Sequence, residues 1–148
     1  MADSFQHYSE MLTLPTLEQR AWAQDLLERI ERMAEAADDL DEEDIPQQGA
    51  LAEAYKDGLQ HGTLAGRFIL QEQGLWLTDD GGDGSLDLVA AIVQEYLQTW
   101  APENHWTLTW AETCSAPRFG AFGGGALVVT AKEIHWMDTW SWAQTALA

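Results

Sequence analysis

Positive charge is scarce in this sequence. Seven basic side chains, of which only Lys56 and Lys132 are lysines, stand against 25 acidic ones, giving a formal net charge of −18 over 148 residues. Such a balance argues against free nucleic acid or an anionic membrane surface as a direct partner, because both repel a polyanion. Cysteine is nearly absent. With Cys114 alone, no intramolecular disulfide can form, and a reducing, cytoplasmic setting is expected. No apolar stretch approaches the roughly 20 residues of a membrane span, and no basic segment followed by an apolar run opens the chain, so neither a span nor a signal peptide is expected.

What is present is apolar as well as acidic. Hydrophobic residues make up 46% of the chain and eight are tryptophans, so a disordered acidic tail, which lacks aromatics, does not fit. The length suits a single domain over 1–148 with a real core. The acids concentrate at Asp38, Asp39, Asp41, Glu42, Glu43 and Asp44, six carboxylates in seven residues.

The order of elements follows from periodicity. Residues 1–13 read as a lead-in anchored by Phe5, Tyr8, Met11 and Leu12. Thr16 with Gln19 matches a capping box, and the stripe Ala23, Leu26, Leu27, Ile30, Met33, Ala34, Ala37 predicts a helix over 16–38. Pro46 in a first-turn position, with Leu51, Ala54, Tyr55 and Leu59 behind it, predicts a second helix over 46–60. Residues 67–71 and 75–78 read as a hairpin turning near Gly74.

Ser85 is positioned to cap a helix over 85–100. Val89, Ile92, Val93, Tyr96, Leu97 and Trp100 make that helix the expected centre of the core. Trp106, Leu108 and Trp110 alternate with small polar residues, which predicts a half-buried strand. After a glycine-rich loop, residues 126–129 predict another. Thr130 and Glu133 match a second capping box, and Trp136, Trp140, Ala143 and Leu147 fall on one helical face. The rival reading of that last segment is a strand, which Asp138 interrupts. The expected fold class is α+β: an antiparallel sheet of about four strands, a central amphipathic helix, two N-terminal helices and a C-terminal helix.

Motifs that carry chemistry are weak. Counted from Asp79, the residues Asp79, Asp83, Ser85 and Asp87 fall at oxygen-ligand positions of a calcium loop, with Gly84 at position six. Position twelve, where a bidentate glutamate is required, is Ala90. The glycines of Phe119-Gly120-Ala121-Phe122-Gly123-Gly124-Gly125 lack the lysine and hydroxyl residue of a phosphate loop. Cys114 with His105 and His135 has no nucleophile motif, and His105, Glu112, His135 and Asp138 have no metal-ligand spacing. Nothing in the chain calls for a cofactor. Phe119 and Phe122 have two readings: burial in the core, the commoner role, or display on the loop as anchors for a partner.

The segment Trp110-Ala111-Glu112-Thr113-Cys114-Ser115, with Pro117-Arg118 and Phe122-Gly123-Gly124-Gly125-Ala126 leading to Val129-Thr130-Ala131, resembles short uncharacterised acidic accessory proteins of bacterial phages, plasmids and integrative elements. The likeness spans about 25 residues and implies a mobile-element accessory protein. With the charge, it leads to the expectation of a non-enzymatic interaction protein. Its partner would be a basic, nucleic-acid-binding protein such as a host restriction or CRISPR component, bound through Asp38, Asp39, Asp41, Glu42, Glu43, Asp44, Phe119 and Phe122. The alternatives are a small enzyme or calcium-binding protein, and an acidic domain whose charge serves only solubility, as in salt-adapted organisms.

Overall fold

The computed structural model of the chain describes residues 4–35, 67–79 and 85–148. The elements run β1 (Ser4–Thr13), α1 (Leu17–Glu35), β2 (Arg67–Leu70), β3 (Gly74–Asp79), α2 (Leu86–Trp100), β4 (His105–Cys114), β5 (Gly123–Thr130), β6 (Ile134–Asp138) and α3 (Thr139–Leu147). All the described strands join one antiparallel sheet in the order β2-β3-β1-β4-β5-β6. The class is α+β as expected, but the sheet has six strands rather than about four. The expected helix over 46–60, the last residues of the helix expected over 16–38, the acidic run 38–44 and the loop 80–84 lie outside the described residues.

Successive side chains along a strand point to opposite faces, and directly paired residues share one. Register therefore places Phe68 and Leu70, Leu75 and Leu77, Tyr8 and Leu12, Leu108, and Leu127 and Val129 on a single face. On that face α2 buries Leu88, Val89, Ala90, Ala91, Ile92, Val93, Tyr96 and Leu97, and α1 adds Ala23, Leu26 and Ile30 to the same cluster. The centrality of α2 follows from its composition, because a helix apolar round most of its circumference has to be covered on most sides. Its start is fixed by Ser85, whose Oγ accepts from the Leu88 N–H at 3.2 Å. Thr16 caps α1 in the same way, accepting from the Gln19 N–H at 3.1 Å. The Tyr96 hydroxyl donates to Gln19 Oε1 at 3.4 Å, and Trp22 packs on the Tyr96 ring at 5.9 Å, which joins α1 to α2.

The opening residues form β1 and not a lead-in. Its first half, Ser4 to His7, pairs with β4, and its second half, Tyr8 to Thr13, pairs with β3, so β1 links the two ends of the sheet. Where β1 parts from β4, the Trp106 indole N–H bridges the gap to the Met11 carbonyl at 3.1 Å. Gly74 opens β3 directly against the Leu12 backbone, in space that a β-carbon would need.

The C-terminal segment corrects the sequence reading in part. Thr130 does bond to Glu133, accepting its N–H at 2.9 Å through Oγ1, while the Thr130 N–H donates to the Glu133 carbonyl at 2.8 Å. These bonds close the β5–β6 hairpin instead of starting a helix, because a hydroxyl that captures the N–H three residues on serves a tight turn as well as a cap. The helix begins later, after Asp138. That residue ends β6 and caps α3, its Oδ1 accepting from the Ser141 N–H at 2.7 Å.

Candidate functional site

The opposite face of the sheet is open to solvent along β1 and β4. Ser9, Thr13, Thr107, Thr109 and Ala111 are exposed there, as suits an antiparallel sheet with helices on one side. Short polar contacts tie its strands together: His7 Nε2 to Thr113 Oγ1 at 2.8 Å, and the Trp76 indole N–H to Ser9 Oγ at 2.8 Å.

The groups that might have formed catalytic or metal sites are placed apart. Cys114 ends β4 and His105 begins it, so nine residues of extended strand, roughly 30 Å, separate them. Glu112 stands seven residues from His105 on the same strand. His135 pairs with Val128, and Asp138 pairs with Gly125 at the other end of β6. His135 instead meets Glu133 at 2.9 Å in an exposed contact. Among the described residues no group of three His, Cys, Asp or Glu side chains converges to hold a metal ion.

Of the residues considered for calcium, Asp79 and Ser85 serve the fold, and Asp83 lies outside the described residues. Asp79 is buried as the register partner of Tyr8, the Ser85 hydroxyl caps α2, and Ala90 lies deep in the core. Burial, and after it the negative charge of Asp79, raises the Tyr8 pKa above the usual tyrosine value. Among the described residues the Tyr8 hydroxyl has no hydrogen-bond partner. A cavity of about 310 Å³ opens where β1 parts from β4, with Met11, Thr13, Tyr96, His105 and Trp106 among its lining residues. Its lining places the hydroxyl residues Thr13 and Tyr96, but no carboxylate or thiol, with His105.

The aromatic residues at the β4–β5 end are arranged differently. The Ala121 N–H bonds back to the Arg118 carbonyl at 3.3 Å, closing a four-residue turn. Gly120 occupies its third position with φ +69°, the left-handed conformation that glycine supplies in such a turn. Phe119, at the second position, is fully exposed, and Phe122 is 57% exposed. Core burial, the commoner expectation for these residues, does not occur. Of the sequence-derived site residues, Phe119 and Phe122 thus share one loop, while Asp38, Asp39, Asp41, Glu42, Glu43 and Asp44 lie outside the described residues.

Sequence reasoning missed a second apolar surface next in the chain. The spacing of Trp106 and Trp110 on a strand and of Trp136 and Trp140 on one helical face suits four side chains turned to the core. Trp106 and Trp110 are half-buried against it, whereas Trp136, Trp140 and Trp142 are exposed, together with Met137 and Leu147. The nine-residue helix α3 buries none of its residues.

No family model matches the chain, and neither a curated protein nor a solved structure shows significant similarity to it. No helix among the described residues is long and apolar enough to cross a membrane.

Proposed function

We propose that this protein is a non-enzymatic acidic interaction protein. It binds a basic nucleic-acid-binding protein, such as a host restriction or CRISPR component, and blocks it by occupying the groove meant for DNA. The observation that carries the reading is the Phe119–Phe122 loop. A structured turn with a left-handed glycine holds a phenylalanine wholly in solvent on a chain of net charge −18. Exposing an aromatic side chain forgoes the favourable burial of a large apolar surface, and recovering that burial at a partner's surface is how aromatic anchors supply affinity.

The two features divide the work. The field of the polyanion speeds encounter with a basic groove, by 10- to 1,000-fold in steered systems. The phenylalanines then slow departure by filling an apolar depression in or beside that groove. Asp38, Asp39, Asp41, Glu42, Glu43 and Asp44 supply the densest charge in the sequence and stand in for phosphates. The resemblance to mobile-element accessory proteins supports an anti-defence role in the host cytoplasm, and the single thiol, half-buried and unpaired, suits that compartment.

The test is competition. Protein captured from lysate at low salt is challenged with duplex DNA. Under this proposal a basic DNA-binding protein is captured, duplex DNA displaces it, and its own DNA binding or cleavage falls when the acidic protein is added. Capture of no basic protein, or capture indifferent to DNA, leaves the charge as a solubilising device and sinks the proposal.

A further inference from the structure

The edge strand β6 and the helix that follows it form a second surface, independent of the phenylalanine loop. β6 has one strand neighbour among the described residues, β5, so no described strand pairs with the backbone groups of its other edge. Edge strands are ordinarily protected by lysine, proline, a bulge or an inward-pointing charge. β6 has no lysine, arginine or proline, its one acid, Asp138 at the strand's end, is taken up by the α3 cap, and Ile134-His135-Trp136-Met137 shows apolar side chains on both faces. Trp136 stands on the helix-bearing face, 46% exposed, and Met137 on the other, 45% exposed. In α3 the positions Trp140, Ala143 and Leu147 share a face, yet Trp140 is 68% and Leu147 83% exposed. Trp142, about 200° round the helix from Trp140, lies away from that face.

Charge identifies the occupant. From Ile134 to Ala148 the chain carries one acidic side chain, Asp138, and no lysine or arginine, while the whole molecule carries −18. The Asp138 carboxylate is already engaged by the Ser141 N–H at 2.7 Å. A basic partner is drawn to the acids and gains nothing electrostatic here. For another copy of the same polyanion, by contrast, this near-neutral segment is a place of approach with little local repulsion. An antiparallel edge is also self-complementary. A two-fold axis through Trp136 sets Ile134 against the partner's Asp138 and His135 against the partner's Met137, the isologous arrangement of a cyclic dimer.

We infer that β6 and α3 form a homodimer interface in which two β6 strands pair edge to edge and continue the sheet across both copies. The inference does not depend on the basic-partner reading. Counting roughly 200 Å² for a whole large side chain, the exposed parts of Trp136, Met137, Trp140 and Leu147 amount to on the order of 500 Å² per copy. Two copies then reach roughly 1,000 Å², the lower limit for a specific interface, so the dimer is weak and reversible.

Sedimentation equilibrium from about 1 to about 500 µM tests it, the range that brackets a weak dimer. The expected result is a monomer–dimer equilibrium that strengthens as salt rises from about 0.05 to about 0.5 M, because salt screens repulsion between two like-charged copies. That sign is opposite to the one expected for a basic partner, so failure of either idea is recognisable by itself. Amides of β6 gain hydrogen-exchange protection as concentration increases. Met137→Lys weakens the dimer at least about tenfold by placing a charge on the edge. Leu147→Glu, on the other element, does the same, and circular dichroism confirms that each variant is folded. Phe119→Ser leaves dimerisation unchanged. A monomer at every concentration and salt overturns the inference, as does a dimer that survives both Met137→Lys and Leu147→Glu.

Discussion

Trp110 on β4 lies across Gly125 on β5, its six-membered ring sharing with the Met137 backbone carbonyl of β6 the space that a β-carbon at 125 would occupy. The Trp136 ring meets Trp110 edge-on, with centroids 6.2 Å apart, so three adjacent strands are locked through one glycine. This contact closes the core at the β4–β5 end, between the buried Leu127 and the exposed loop aromatics. Gly125→Ala is therefore expected to destabilise the fold by about 1–3 kcal/mol through overpacking. A denaturant midpoint that does not move would show that the Trp110 ring and the β6 backbone at Met137 both give way freely. Combining Gly125→Ala with Trp110→Leu should recover part of the loss, since the smaller side chain vacates the contested volume.

Tyr8 offers a prediction of the opposite sign. Its hydroxyl is buried without a partner among the described residues, and Tyr8 pairs in register with Asp79. An unmade hydrogen bond in the interior costs about 1–3 kcal/mol. Tyr8→Phe removes the orphan and is expected to raise stability by about 1 kcal/mol. Its effect also depends on pH. The folded-state pKa of Tyr8 is raised by burial and then by Asp79, so the unfolded chain ionises first. Stability is fully present below pH about 10 and falls as pH rises above it. The alkaline decline measured by urea denaturation should be shallower in Tyr8→Phe, and identical slopes would contradict this account.

How much of this was legible beforehand depends on whether one partner or several decide an element. α2 was readable because Val89, Ile92, Val93, Tyr96 and Leu97 repeat at helical spacing behind Ser85, and all five are buried. β4 was readable from Trp106, Leu108 and Trp110. β1 was not, because it changes partners after His7 and carries the exposed Glu10 between the buried Tyr8 and Leu12, which spoils the alternation. At the C-terminus the strand and helix readings were each half right, since Asp138 ends one element and caps the next. For Phe119 and Phe122 the glycines marked a loop, but exposure is a property of the assembled fold and has no local signature.

The start of α3 depends on that same aspartate. Backbone and side-chain hydrogen bonds from Ser141 hold the Asp138 carboxyl below the usual carboxylate range. A lowered folded-state pKa means that the stabilisation is present above the unfolded value of 3.8 and is lost as pH falls through the folded one. α3 buries no side chain of its own, so the cap carries an unusual share of its stability. Amide exchange in α3 should accelerate below pH about 4 while α2 stays protected. Asp138→Ala should show the same fast exchange at neutral pH. Equal protection of α3 in both proteins would mean that another contact holds the helix.

Central to the functional proposal is a kinetic separation. Asp38, Asp39, Asp41, Glu42, Glu43 and Asp44 act at a distance, so converting them to amides should lower the association rate with the basic partner by about tenfold or more at low salt, and leave dissociation nearly unchanged. Phe119 and Phe122 act on contact, so Phe119→Ser with Phe122→Ser should speed dissociation, by about tenfold for each 1.4 kcal/mol of anchoring lost, and leave association nearly unchanged. Both variants should keep the wild-type denaturation midpoint or better it. Phe119 is fully exposed, and removing neighbouring like charges relieves repulsion. Added salt should slow wild-type association steeply and that of the amide variant much less. The measurement is surface-immobilised partner kinetics across a salt series. If the amide variant associates as fast as the wild type at low salt, the acidic run does not steer. If the double serine variant dissociates no faster, the loop does not anchor, and the solubility reading of the charge becomes the better one.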